Sequence, residues 1–141
     1  MLQIFNATSM QKETFEPLQN PYVRIFICGP TVYDYSHIGH ARVFVVYDVI
    51  ARYLRAKGYR PFTLVNITDI DAKIFERARN EHTGYERIVG RYMGELQKDL
   101  TLLNARVDSF AMGSDYIEQA KESIDFLLRE GYAYSTNGNV Y

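Results

Sequence analysis

Apolar positions change their period several times along this chain, and each change marks an element. Leu2, Ile4 and Phe5 open a stretch that Asn6-Ala-Thr-Ser9 turns and Pro17 closes, so residues 2–18 predict a hairpin. Asn20-Pro21 then breaks the chain. Val23-Arg-Ile-Phe-Ile27 predicts a strand apolar enough to be buried on both faces. From Ile38 to Lys57 the period becomes helical. Ile38, Ala41, Val45, Val49 and Tyr53 fall near one face, with Val46, Ile50 and Leu54 beside them. Gly58 supplies the stop. Pro61-Phe-Thr-Leu-Val-Asn66 predicts a second strand. Strand, helix and strand in that order make a βαβ unit, whose strands are parallel and whose crossover is right-handed.

A second helix is predicted from near Asp69, with Thr68 as its cap, to about Asn80. Thr83-Gly84 interrupts it, and a further helix continues to about Leu103. Val107 to Met112 predicts a third strand. Gly113-Ser114 is expected to cap a helix over Asp115 to Glu130, which Gly131 ends. The tail from Tyr132 to Tyr141 predicts a hairpin around Asn137-Gly138. Asn139-Val-Tyr141 is too short for a full return strand, so the chain is expected to stop in mid-hairpin. No internal repeat or low-complexity segment is visible.

Composition narrows the class. The 141 residues suffice for one domain with a modest core. With 47% hydrophobic and 23% charged residues, neither disorder nor a membrane span fits. The N-terminus lacks the basic and apolar regions of a signal peptide, and a single cysteine cannot form an internal disulfide. A cytoplasmic protein is the default expectation. The net charge of -1 comes with no basic stripe, so any nucleic-acid surface is expected elsewhere or weak in this piece. The 12 tyrosines are expected mostly as core or rim residues.

Candidate chemistry concentrates in Cys28-Gly-Pro-Thr-Val-Tyr-Asp-Tyr-Ser-His37-Ile-Gly-His40-Ala-Arg42. The stretch lies where a strand hands over to a helix. In parallel α/β folds ligands bind in that crevice, and a helix N-terminus there welcomes phosphate. His37 and His40, three apart, point the same way. Gly39 removes a side chain where a flat ligand would approach backbone. Such donors stabilise charge developing on an attacked phosphorus centre without acting as bases. Two plainer readings compete: the histidines simply cap a helix at the surface, or they hold a metal, for which His82 is badly placed. Cys28 is either a small apolar residue or a thiolate at the crevice. Asn66-Ile-Thr-Asp-Ile-Asp71 ends the second strand on the same side, so Thr68 and Asp69 are expected to face Cys28. The plainer reading of Asp69 and Asp71 is favourable charge at a helix start.

Together Cys28-Gly-Pro-Thr-Val-Tyr-Asp34, His37-Ile-Gly-His40 and Asn66-Ile-Thr-Asp-Ile-Asp71 resemble the N-terminal catalytic core of the cysteinyl-tRNA synthetases. The opening hairpin with its Gln11-Lys-Glu13 turn and the Gly131-Tyr-Ala-Tyr134 segment carry the same likeness. The resemblance runs end to end. It implies an α/β fold: the N-terminal half of a Rossmann-type, doubly wound parallel sheet of the nucleotidyl-transferase kind, with an N-terminal β-hairpin. Residues 1–112 would form the first half of the catalytic domain, and residues 113–141 the truncated start of a connecting insertion. It also implies activation of cysteine with ATP, with Mg2+, to cysteinyl-adenylate and pyrophosphate, then transfer to tRNA(Cys). By the same resemblance Pro30, Thr31, His37, Gly39 and His40 would contact ATP, with His37 and His40 catalytic. Gly29 and Thr68 would line the pocket for substrate cysteine. Cys28 would be one of four ligands of a Zn2+ that binds the substrate thiolate and so tells cysteine from serine.

Several parts of that pattern are missing. The other zinc ligands, the Lys-Met-Ser-Lys-Ser loop, the second half of the nucleotide fold and the anticodon-binding helices have no counterpart here. Ala72 stands where the family commonly has a further acidic residue. The chain is therefore expected to be a fragment, inactive and without a tight zinc site alone. Its uncovered strand edge and apolar helix face predict self-association or marginal stability. Two other readings remain at this stage. One is a ligase joining cysteine to an amino-sugar, against which Gly29-Pro-Thr-Val32 speaks. The other is a non-catalytic half-domain that binds nucleotide or protein.

Overall fold

A computed structural model describes residues 2–141. Strands β1 (Gln3–Asn6) and β2 (Gln11–Thr14) pair antiparallel as a hairpin. Gln11-Lys-Glu13, expected as a turn, lies within β2. The reversal falls instead on residues 7–10, where Met10 takes a positive φ of 57°.

The central sheet holds β3 (Tyr22–Ile27), β4 (Arg60–Ile67) and β5 (Ser109–Met112), parallel throughout and in the order β3-β4-β5. Helix α1 (Ile38–Ala56) crosses from β3 to β4. Helices α2 (Ala72–Asn80) and α3 (Tyr85–Leu102) together cross from β4 to β5. Both crossovers step in one direction, and right-handed connections that do so put their helices on one side. The core accordingly joins Ile27, Val65 and Ile67 of the sheet to Phe44, Ile74, Ile88 and Leu96 of the helices.

That arrangement corrects two expectations. β3 is not buried on both faces: Val23 and Ile27 are buried, whereas Tyr22, Arg24 and Phe26 are exposed because no helix covers their side. Nor does α1 bury its valine stripe. It buries Phe44, Asp48, Ala51 and Leu54, while Ile38 is 86% and Val49 58% exposed. The inward face includes Asp48, whose polarity hid it from the hydrophobic pattern. Asp48 is satisfied there by Arg52 Nε at 2.6 Å and the Arg106 amide at 3.2 Å. A buried carboxylate is tolerable when charged and hydrogen-bonding partners meet it.

β5 is shorter than expected because the residue before it bonds through its side chain. Asp108 accepts the Thr63 amide at 2.9 Å and the Thr63 hydroxyl at 2.8 Å, and returns its own amide to Thr63 Oγ1 at 2.9 Å. Burial pushes the Asp108 carboxyl up, but the Thr63 donors, Arg55 and Arg106 together leave it below its ordinary value.

Helix α2 begins later than expected. Its cap is Asp71, whose side chain accepts the Lys73 amide at 2.8 Å, so the plainer reading of that aspartate holds. Thr68 does not cap it, because its backbone is engaged in a bridge to Thr31. Gly113-Ser114 likewise opens a 3-10 turn (Gly113–Tyr116) rather than capping a helix, and α4 (Ile117–Arg129) follows. The tail closes as β6 (Ser135–Thr136) and β7 (Asn139–Val140) about Asn137 and Gly138, with φ of 52° and 79°. Two successive positive φ values are what a tight hairpin turn of that sequence requires. No helix among the described residues is long and apolar enough to cross a membrane.

Candidate functional site

The carboxyl ends of β3 and β4 are stitched together beyond their ladder. The Val32 amide donates to the Thr68 carbonyl and the Thr68 amide to the Pro30 carbonyl, both at 3.2 Å. The Gly29 amide donates to Asn66 Oδ1 at 2.9 Å. A Cβ at Gly29 would lie 1.7 Å from the Asn66 carbonyl oxygen, so the backbones touch there and only glycine fits. Cys28, just past the end of β3, carries a free and exposed thiol.

The loop then runs to α1, anchored from below. Arg77 of α2 reaches Asp34 at 3.6 Å, Glu81 at 2.5 Å and the Tyr92 hydroxyl at 2.6 Å. Glu81, by its hydrogen bond, holds the Arg77 guanidinium more firmly charged than usual.

His37 and His40 form a reciprocal cap at the start of α1. His37 Nδ1 accepts the Gly39 amide at 3.1 Å, and His40 Nδ1 accepts the His37 amide at 3.2 Å. The rings stack with centroids 3.9 Å apart. Because each Nδ1 accepts, each neutral ring carries its proton on Nε2, and neither Nε2 has a protein partner among the described residues. Burial, then the neighbouring His37, lowers the His40 pKa below its ordinary value of 6.5. Gly39 has a more local reason than ligand access: a Cβ there would stand 2.8 Å from the His37 ring. The surface-cap reading is thus expressed in these two rings, which leave both Nε2 atoms free for a ligand among the described residues.

Pro30, Thr31, His37 and His40 line one cavity of about 240 Å³, with Lys73 and Tyr92 across from them. The structure therefore brings together four of the five residues expected at ATP. Gly39, Cys28, Gly29 and Thr68 lie outside its lining. Asp69 does not face Cys28 as expected. It is 6% exposed and turned to Ser114, accepting the amide at 2.9 Å and the hydroxyl as well.

Two residues at the site carry roles that the sequence reading left unassigned. Lys73 brings a cation to the cavity, its Nζ 5.4 Å from the Tyr33 ring, and its place two residues after the Asp71 cap was the available signal. Asn66, a polar residue in an otherwise apolar strand, holds Gly29.

The donor type at Cys28 suits zinc, but the donor count does not. No three His, Cys, Asp or Glu side chains gather as a metal site among the described residues. Chemically the arrangement offers two neutral N–H donors and a helix N-terminus beside a cavity that carries one lysine, Lys73, and one carboxylate, Asp34; the donors and the lysine suit a phosphate-bearing ligand.

Residues 14–141 match the family described as tRNA synthetases class I (C) catalytic domain. The chain is 44% identical over its full length to the cysteine–tRNA ligase of Aeropyrum pernix, covering 30% of that protein. It is 44% identical over 99% of its length to that of Cronobacter sakazakii, covering 31%. The chain thus spans about a third of the length of these relatives. In fold it is similar to Mycobacterium tuberculosis methionyl-tRNA synthetase in complex with methionyl-adenylate, with a TM-score of 0.68 and 23% identity over 79% of this chain and 23% of that one. It is similar too to LeuRS in the ternary LeuRS–tRNA–LeuAMS complex of Agrobacterium radiobacter K84, with a TM-score of 0.69 and 18% identity over 84% of this chain and 16% of that one. With its parallel sheet, its crevice at the strand ends and these matches, the chain belongs to the class I (C) tRNA synthetase catalytic-domain family.

Proposed function

We propose that the protein containing this chain is a cysteine–tRNA ligase, which joins cysteine to ATP as cysteinyl-adenylate and then transfers it to tRNA(Cys). The observation that supports this most is the His37–His40 cap standing over a cavity shared with Pro30, Thr31 and Lys73, in a chain aligned along its length with such ligases. In this reading the cysteine carboxylate attacks the α-phosphorus of ATP and pyrophosphate leaves. Negative charge grows on the phosphoryl oxygens as it does so. The two Nε2–H groups and the positive end of α1 meet that charge, and their fixed orientation avoids reorganisation at the moment of reaction. Gly39 leaves room over the helix start for adenine. Gly29 and Thr68 bound the amino-acid pocket on the side of Cys28. Transfer follows when a hydroxyl of the terminal adenosine attacks the carbonyl and AMP departs.

Cys28 is read as one ligand of a zinc ion whose other three donors lie beyond residue 141. Residues 113–141 are read as the start of a connecting insertion, and the protein as cytoplasmic. The 141-residue chain by itself lacks the residues that would close over the phosphates, and is inactive in this reading. Cysteine-dependent ATP–pyrophosphate exchange tests it, with serine as control. Exchange by the full-length protein with cysteine alone, and none by residues 1–141, is the expected result. Absence of exchange from the full-length protein, or full activity of the short chain, would overturn the corresponding part.

A further inference from the structure

The β3–β4 ladder slips by one residue at the candidate site. Ile27 pairs with Val65, and the next pairing is Thr31 with Thr68. The chain therefore takes four steps on the β3 side against three on the β4 side. The extra residue falls within Cys28-Gly29-Pro30. A one-residue excess is a bulge; bulges are uncommon between parallel strands, cluster beside active sites and re-aim a side chain.

A bulge leaves backbone groups without ladder partners, and each must be met in another way. Pro30 has no amide to lose. Its carbonyl accepts from Thr68. Gly29 has the amide that drops out of register, and Asn66 Oδ1 takes it at 2.9 Å. Gly29 also sits so close to β4 that a Cβ would overlap the Asn66 carbonyl. One residue, Asn66, thus meets Gly29 with its side chain and its backbone. A shorter or apolar side chain would leave the Gly29 amide unpartnered at a half-buried position, and the bulge would shift to find water.

We infer that Asn66 is a positioning residue that holds the Cys28–Thr31 bulge in register. It thereby fixes where the Cys28 thiol and the Gly29 backbone stand at the crevice. This rests on the reading that Cys28 and Gly29 serve the amino-acid side of the site. It predicts an uneven fault: loss of Asn66 disturbs amino-acid binding more than nucleotide binding, because Pro30 and Thr31 are the only residues assigned to ATP that lie in the bulge, whereas the His37–His40 cap is built on α1 and makes no bond to Asn66.

The test is pyrophosphate exchange on the full-length protein carrying Asn66→Ala or Asn66→Asp, with KM measured separately for cysteine and ATP. Asn66→Asp keeps the acceptor oxygen in the same place. A displacement of this kind should raise KM for cysteine about tenfold in Asn66→Ala, with a clearly smaller rise in KM for ATP through Pro30 and Thr31. Asn66→Asp should recover most of the loss. Equal effects on both KM values, no effect, or an Asn66→Asp as impaired as Asn66→Ala would overturn the inference. If Asn66→Ala does not fold, Asn66→Ser, with a shorter oxygen, takes its place in the same comparison. The rate of Cys28 alkylation by iodoacetamide, followed by peptide mass, gives a readout outside the reaction. It should change in Asn66→Ala and return in Asn66→Asp; an unchanged rate counts against the inference. A wild-type protein without cysteine-dependent exchange would sink the functional reading instead, and the alkylation comparison would still decide the role of Asn66.

Discussion

His40 stacks on His37 with ring centroids 3.9 Å apart and accepts the His37 backbone amide on its Nδ1. Both contacts favour a neutral His40. Protonation would put hydrogen on the accepting nitrogen and a charge in a partly desolvated place beside a second imidazole. Its pKa is accordingly lowered from 6.5, by burial first and by His37 second. A histidine depressed in the folded state binds fewer protons there than in the unfolded state. Its contribution to stability is thus present above about 6.5 and is lost as pH falls through the lower folded value. Melting temperature measured from pH 7 to pH 5 should fall, and should fall less in His40→Asn, which keeps an acceptor near the Nδ1 position. Imidazole resonances followed by NMR should place the His40 midpoint below that of a free histidine. A midpoint at or above the free value would contradict the cap geometry.

Gly39 is where stability and activity should part company. An alanine Cβ would come within 2.9 Å of His37 Nδ1 and push the ring off its cap. Losing an N-cap costs about 1 kcal/mol, while replacing glycine by alanine in a helix gains about as much. Gly39→Ala should therefore melt close to wild type. If the proposed function holds, exchange activity of the full-length protein should nonetheless fall by about tenfold or more, because on that reading the displaced Nε2–H no longer meets phosphate. A destabilised but active Gly39→Ala would show that the ring cap is structural only.

Asp69 and Ser114 tie the end of β4 to the turn after β5. Asp69 is almost fully buried and, among the described residues, hydrogen-bonds only to the amide and hydroxyl of Ser114. Asp69→Ala would strand the Ser114 amide and remove a charge-assisted pair, for a cost of about 2–3 kcal/mol. Ser114→Ala removes only the hydroxyl and should cost about half that. Urea midpoints give the order. Limited proteolysis should also cut after residue 112 sooner in Asp69→Ala, since the anchor of the following segment is gone. Equal midpoints for the two variants would mean that the amide bond contributes nothing.

These cases show which parts of the chain could be read from sequence and which could not. The βαβ order was legible because Val23–Ile27, the helical period after Ile38 and Pro61–Asn66 each carry a strong local pattern. The orientation of α1 was not, because its inward face includes Asp48, and a buried carboxylate is visible only once Arg52 and the Arg106 amide are seen around it. Thr68 looked like the cap because its hydroxyl is a good acceptor, while Asp71 read only as favourable charge at the helix start. Only the bridge to Thr31 decides between them. The cap at His37 and His40 was readable as spacing. The contacts of Asn66 with Gly29 and of Asp69 with Ser114 span 37 and 45 residues and leave no local trace.

The open faces of the isolated chain lead to the last prediction. One side of the sheet presents Tyr22, Phe26 and Phe62, with Phe26 62% exposed, and among the described strands β3 pairs only with β4. Helix α1 presents Ile38, Val46 and Val49. Contiguous apolar surface next to a free strand edge favours association over solution as a monomer. Residues 1–141 on their own should therefore sediment as concentration-dependent oligomers. Phe62→Lys should weaken association if the sheet face carries it, and Val49→Glu if the helix face does. Neither change should disturb the core, because both side chains already meet solvent. A monodisperse monomer with a cooperative melt at every concentration would mean that these faces are tolerated in water, and that the three-stranded sheet with its helices is a stable unit by itself.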